Sequence, residues 1–280
     1  MQPFKERARW LTLPSMKTIV MLCCAALVIS GHMGVAKTKD VAPQSTQMIV
    51  VTTPDWNSVQ GRMQRYERQR PEAAWQPVGD SFPIVVGKKG IAWGSGIVDT
   101  GSMHQTNDPI KHEGDGRSPA GVFNLGTAFG DASSPLAGTM LPYLTLTNSI
   151  ECVDDVASTH YNRIVDRSSI AAPDWNSSEH MRDVGEAYRW GIVVNHNAIA
   201  NQGTAPQPVR AGGSCIFLHI WKDSAHGTAG CTAMEPVNIE GLLRWVDPKR
   251  NPVLVQLPVD AYARAMKQWS LPTVANISTR

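Results

Sequence analysis

The sequence contains no long run of one charge sign. Lysine and arginine number 26, aspartate and glutamate 24, and the formal net charge over 280 residues is only +2. Nucleic acid is therefore not an expected partner, because proteins that grip a phosphate backbone concentrate basic residues. Histidines and cysteines do not cluster at metal-ligand spacing, so no metal and no other cofactor is expected. Internal repeats and low-complexity tracts are also missing. Charged residues make up 18% of the chain and apolar residues 42%, with 9 tryptophans. That composition excludes wholesale disorder and supplies a substantial core. A chain of this length makes one large domain or two modest ones.

Apolar runs are short as well. The most extended, about Ile19 to Ile29, falls below the ~20 residues of a membrane span. It follows Lys17 and runs out into Gly34-Val35-Ala36, the charged-apolar-small order of a secretory signal. Residues 1–36 are expected to be a signal peptide cut after Ala36, with Met16 as an alternative start. The competing possibility is an uncleaved anchor, the one route by which a membrane would enter the picture. Leu22 precedes Cys23, where a lipoprotein signal wants a small residue. Lys5, Arg7, Arg9 and Lys17 against Glu6 lie in this segment, so its removal takes the net charge to about −1. Export means an oxidising compartment. Three cysteines then remain, Cys152, Cys215 and Cys231, and an odd count leaves one thiol over or an intermolecular bridge. Pairing of Cys152 with Cys215 would leave Cys231 free, but proximity cannot be read from the sequence.

Residues 37–46 read as a polar linker. Strands are expected at 48–53, 121–125, 140–147, 190–197, 214–221 and 251–258. "FPIVVGKKGIAWG" reads as a hairpin turning at Lys88-Lys89-Gly90. A helix fits 235–248, where Ile239, Leu242, Leu243 and Val246 share one face between Pro236 and Pro248. Weaker helical patterns cover 178–189 and 259–269. The fold class is mostly β, a sandwich or mixed sheet with a few short helices, over 47–258. A tail over 259–280, helical in part, follows it.

The stretch "GTAGC" delivers Cys231 in a small-residue turn just ahead of the helical pattern. Amides in such a turn or at a helix start favour a thiolate, so a lowered thiol pKa is expected. The same N–H groups can hold an oxyanion. Twelve residues upstream His219 sits in "CIFLHIW", where Phe217, His219 and Trp221 face one way and Ile216, Leu218 and Ile220 the other. The plainer readings are a packed histidine and an inert or paired cysteine. Around this pair, Arg117 in "HEGDGRSPAG" is a candidate carboxylate ligand or simply part of a turn-rich connection. His196 and Asn197 end a strand expected beside the His219 strand and could reach the cleft. His226 is a loop histidine. Asp154 and Asp155 are adjacent on an extended segment, so they point apart and suit capping or a salt bridge better than paired chemistry.

"FLHIWKDSAHGTAGCTAM" resembles the active-site segment of the L,D-transpeptidases, the YkuD-like catalytic domain. "VVTTPDWNSVQGRMQRYER", "GDGRSPAGVF", "ECVDDVASTHYNRIVD", "DWNSSEHM" and "GIVVNHN" resemble an exported, cell-wall-associated branch, in the same order, so the likeness spans 47–258. It implies Cys231 as nucleophile, His219 as base, and the carbonyl of Ile220 orienting the imidazole. The N–H groups around Gly230 and Cys231 would form the oxyanion hole, with Thr228 and His226 alongside the substrate. The implied partner is a peptidoglycan stem peptide in the periplasm or envelope of a bacterium. The thiolate would attack the carbonyl of the third, diamino residue and release D-alanine, and an amine would resolve the thioester into a cross-link. Resolution by water would make the protein an L,D-carboxypeptidase. An amidase trimming wall peptides would use the same pair, and a wall-binding module would keep the fold without catalysis. Two positions depart from the family pattern: Ala229 stands where His is common and Ala233 where Arg is common, which bears on how the donor carboxylate is bound.

Overall fold

The structure is a computed structural model that describes residues 40–197 and 208–274. The expected signal peptide and the first part of the linker lie outside the described residues. Strands dominate. In chain order they are β1 (Gln47–Thr53), β2 (Gln60–Glu67), β3 (Gln76–Val85), β4 (Ile91–Trp93), β5 (Ser118–Gly130), β6 (Tyr143–Thr145), β7 (Ile150–Val153), β8 (Arg163–Asp166), β9 (Ser178–His180), β10 (Trp190–Val194), β11 (Phe217–Ile220), β12 (Thr232–Met234) and β13 (Val253–Pro258). Two α-helices, α1 (Pro236–Trp245) and α2 (Val259–Gln268), and short 3-10 turns complete the described chain. None of its helices is long and apolar enough to cross a membrane.

The large sheet runs β10-β11-β12-β3-β2-β1-β13-β5-β4, and β5 pairs again with β10. The pairing thus closes on itself and hides most strand edges, which would otherwise be open to other chains. β1 and β13 lie side by side in parallel, Met48 opposite Val253. Both are buried along nearly their whole length, which is why each reads as a continuous apolar run. α1 covers the core with Ile239, Leu242 and Leu243, and Pro236 sits in its first turn, where a missing N–H costs nothing. α2 buries Ala261, Tyr262 and Ala265 in the same core. The helix expected at 259–269 therefore forms and packs on the strands.

Three local expectations are revised. The turn at Lys88-Lys89-Gly90 forms, with Gly90 N–H donating to the Gly87 carbonyl, but no hairpin follows. β4 leaves to pair in parallel with β5, while the end of β3 pairs with β12 through Val85 and Ala233. The strand expected at 140–147 shortens to Tyr143–Thr145, since Pro142 brings no N–H to a ladder. The pattern at 178–189 splits: Ser178–His180 joins β7 as a strand, and Met181–Tyr188 is a 3-10 segment broken at Gly185, whose φ is 70°.

β7, β8 and β9 form a separate small sheet between β6 and β10. A disulfide from Cys152 on β7 to Cys215, just ahead of β11, ties this insertion to the main sheet. The bridge closes a 63-residue separation, and chain-entropy reasoning assigns it about 4 kcal/mol. Replacing both Cys152 and Cys215 by Ser should lower the unfolding free energy by about that amount in a denaturant titration; an unchanged midpoint would contradict the tether.

Candidate active site

β11 and β12 are parallel neighbours in the register Leu218 to Thr232 and His219 to Ala233. A parallel pair needs a crossover, and here it is the irregular stretch 221–231 that ends in Cys231. The loop is pinned at its middle: Thr228 N–H donates to the Val86 carbonyl and Lys88 N–H to the Thr228 carbonyl. Gly227 permits this approach, since a Cβ there would meet Lys88 N at 2.7 Å and Cα at 2.6 Å. The expected alternation on β11 holds. Ile216, Leu218 and Ile220 enter the main core, whereas Phe217 joins a second cluster with Cys231, Phe129 and Tyr188. Across from His219 on β10 stands Gly191, where a Cβ would lie 2.2 Å from the Phe129 ring.

Cys231 and His219 line one cleft of about 450 Å³, together with Ile220, Thr228, Gly230 and His226. Cys231 is a free thiol. His219 Nδ1 lies 2.7 Å from the Ile220 carbonyl. A carbonyl only accepts, so Nδ1 carries the proton and Nε2 of the neutral ring is an acceptor. The Cys231 sulfur accepts the Phe217 N–H at 3.3 Å, and its S–H donates to the Cys215 carbonyl at 3.4 Å.

The electrostatics overturn the expected thiolate. Cys231 is 7% exposed and His219 8%. Burial pushes the thiol up to about 12, and the nearby Glu179 carboxylate adds to the rise, while the Phe217 N–H opposes it. Burial likewise pushes His219 down to about 4, against a partial upward pull from the Ile220 carbonyl. Desolvation penalises the charged form of each, so the pair rests neutral. The helix start is not at hand to counter this, because β12 separates Cys231 from Pro236.

The other candidates sort by where their donors go. Thr228 Oγ1 donates to the Cys231 carbonyl at 2.6 Å and accepts the Gly230 N–H at 3.1 Å. The Gly230 amide, expected in an oxyanion hole, is therefore engaged inside the turn. His226 pairs with Asp223 at 2.7 Å on the cleft rim. Arg117 is not among the cleft residues: its guanidinium donates to the carbonyls of Trp56 and Ile91 and to Asn57 Oδ1. His196 and Asn197 lie beyond the end of β10, which does neighbour β11, but they too are absent from the cleft lining. His196 Nε2 meets the Gly212 carbonyl, and Asn197 Nδ2 donates to the carbonyls of Val209 and Gly213. They brace the loop that leads to Cys215. Asp155 caps backbone N–H groups at Ala157 and Asn176, while Asp154 binds Ser177 and lines the cleft. Among the described residues no group of His, Cys, Asp and Glu is arranged to hold a metal ion.

Residues 57–255 match the YkuD family, described as the L,D-transpeptidase catalytic domain. The chain belongs to the YkuD family. This is a family of L,D-transpeptidase enzymes that act on peptidoglycan, and the mostly β architecture agrees with its β-sandwich domain. Comparison with curated proteins and with solved structures gives no match. Against the YkuD pattern, Ala233 is fully buried on β12 opposite Val85, and no cation stands there. Lys111 lines the cleft from the loop ahead of β5, paired with Asp115 at 2.6 Å, and Lys222 lines it from the crossover.

Two cleft residues had no signal in the sequence. Tyr188, at the end of the 3-10 segment, lays its ring edge-on to His219 with centroids 5.1 Å apart. Its hydroxyl donates to Glu179 Oε1 at 2.6 Å. Both sit on the insertion, and only the fold brings it to Cys231.

Two pH effects follow. With the thiol near 12, alkylation of Cys231 by iodoacetamide should rise about tenfold per pH unit from pH 7 to 10, tracking the thiolate fraction; a plateau below pH 8 would show a low-pKa thiol. His219 has a folded value of about 4 below its ordinary 6.5. The unfolded chain therefore binds its proton first on acidification. Its contribution to stability is present above 6.5 and is lost as pH falls towards 4. Wild type should lose more stability than His219→Gln across that window in denaturant titrations.

Proposed function

We propose that this YkuD domain is an exported cysteine acyltransferase of the periplasm or cell envelope that forms L,D cross-links between peptidoglycan stem peptides. The observation that carries the reading is the free Cys231 thiol sharing a cleft with a His219 ring whose Nδ1–H is held by the Ile220 carbonyl. In the attack, the S–H proton moves to His219 Nε2 and sulfur bonds to the carbonyl carbon of the third, diamino residue. The tetrahedral oxyanion forms next to the Cys231 backbone. Its collapse breaks the amide bond, the proton on Nε2 passes to the leaving nitrogen, and D-alanine departs. The amine of a neighbouring stem then attacks the thioester, giving its proton to Nε2, which returns it to the departing sulfur, so the thiol and the neutral ring are restored. In the resting cleft this proton transfer is uphill, because burial lowers the ring to about 4 and raises the thiol to about 12. With no Arg at position 233, the lysines lining the cleft are Lys111, already paired with Asp115, and Lys222.

Mature protein incubated with disaccharide tetrapeptides should release D-alanine and yield dimers detected by mass. Cys231→Ala should abolish both with the fold intact, and His219→Ala should slow them roughly 10²-fold or more. Shortened monomers without dimers would show that water, not an amine, resolves the thioester. Full activity in Cys231→Ala would remove the nucleophile assignment.

A further inference from the structure

Asn162 ends the connection between β7 and β8 in the left-handed region, with φ 59°, where asparagine is better tolerated than most residues. Its backbone N–H donates to the Val153 carbonyl at 2.8 Å. Its side chain reaches from the insertion to the main sheet. Nδ2 donates to the His196 carbonyl at 3.0 Å and to the Asn197 carbonyl at 3.3 Å, and Oδ1 accepts the Cys215 N–H at 3.0 Å. One amide group thus joins the residues that leave β10 to the residue two ahead of β11. Cys215 itself has a φ of 54°, a conformation that L side chains avoid. Asn162 holds its N–H there, and the bridge to Cys152 holds its side chain. The Cys215 carbonyl accepts the Cys231 S–H at 3.4 Å, and the Phe217 N–H donates to the same sulfur at 3.3 Å. Together they form a two-point clasp on the thiol. A carbonyl accepts from S–H and offers nothing to S⁻, so that half of the clasp favours the protonated thiol.

We propose that Asn162 is a positioning residue for the nucleophile: by fixing the left-handed backbone of Cys215, it aims the carbonyl that holds the Cys231 S–H. This rests on the reading of Cys231 as nucleophile and adds a residue, on the insertion, that governs where the sulfur rests. Asn162 is not among the cleft residues; it acts through Cys215. Without Oδ1, the Cys215 N–H loses its partner, and an unpaired amide away from water is costly. Cys215 then gains by leaving the left-handed region. That turns the peptide between Cys215 and Ile216 and takes the carbonyl off the thiol. The sulfur keeps the Phe217 N–H, the contact that favours the thiolate.

The test is alkylation of Cys231 in the mature chain at pH 8, read by intact mass as a single adduct, with iodoacetamide and with the bulkier N-ethylmaleimide. The variants are Asn162→Gly, Asn162→Ala and Asn162→Asp. Glycine keeps the left-handed turn and loses the amide, whereas alanine loses the amide and strains the turn. Aspartate keeps an oxygen for the Cys215 N–H and loses the donation to the His196 and Asn197 carbonyls. Asn162→Gly and Asn162→Ala should both react about fivefold faster than wild type, by the same factor with either reagent, although Asn162→Ala should be the less stable in urea. Asn162→Asp should be no faster than wild type while losing stability too. A gain shared by Asn162→Asp, or larger for the bulkier reagent, would show only a loosened insertion. An unchanged rate in Asn162→Gly and Asn162→Ala would show that Cys215 is placed without Asn162. Either result overturns the proposal. The assay contains no wall peptide, so failure of stem-peptide turnover would count against the proposed reaction and leave this coupling standing.

Discussion

The parallel pairing of β11 with β12 is the constraint on which the site depends. It places His219 level with Ala233, so that Cys231, two residues earlier, curls back beneath the Phe217 amide. A slip of one residue would turn Phe217 and His219 into the main core and put Leu218 in place of His219. The rest of the sheet resists that slip. β10 grips β11 from the other side, with Gly191 opposite His219, and β3 holds β12 through Val85 and Ala233. Because β5 pairs with both β10 and β13, moving β11 would strain a closed circuit of strands. His219 and Cys231 thus sit on or beside rigid neighbouring strands, and only the crossover between them is irregular.

That rigidity comes with burial, and burial decides the protonation states. In a dry pocket an ion pair must recover the desolvation of two charges, and a single attraction between them rarely does so. The neutral thiol and neutral imidazole are the lower-energy arrangement. The Ile220 carbonyl fixes the tautomer and leaves Nε2 of the neutral ring as an acceptor. What is missing from the resting cleft is stabilisation of negative charge on sulfur. The Phe217 N–H supplies part of it.

The alternation in "CIFLHIW" and the small-residue turn before Cys231 were legible in the sequence because both are local. Side-chain facing on a strand follows from a period of two, and a Gly-bounded turn ahead of a strand or helix is a short-range signal. The thiol's ionisation was not legible, because it depends on how much protein surrounds the sulfur, and the expected helix start gave way to β12. Arg117, His196 and Asn197 mislead for a common reason. Polar residues in turn-rich segments look available from sequence, but folded loops have orphan carbonyls, and these side chains spend their donors there. Tyr188 and Glu179 fall in the opposite class: nothing marks them locally, and they reach the site only because the small sheet folds back over β11.

The insertion also explains how Cys152, Cys215 and Cys231 coexist. The Cys152–Cys215 bridge adjoins the free thiol, whose S–H points at the carbonyl of Cys215 itself. A thiolate beside a disulfide exchanges with it, at a rate set by the thiolate fraction and by access to the sulfur. A Cys231 ionised at rest would therefore threaten the bridge that holds Tyr188 and Glu179 in place. With the thiol pushed up to about 12, the thiolate fraction near neutral pH is roughly 10⁻⁵, and exchange is suppressed by that factor. The burial that keeps the Cys231 thiol protonated at rest is thus also what keeps the nearby bridge intact.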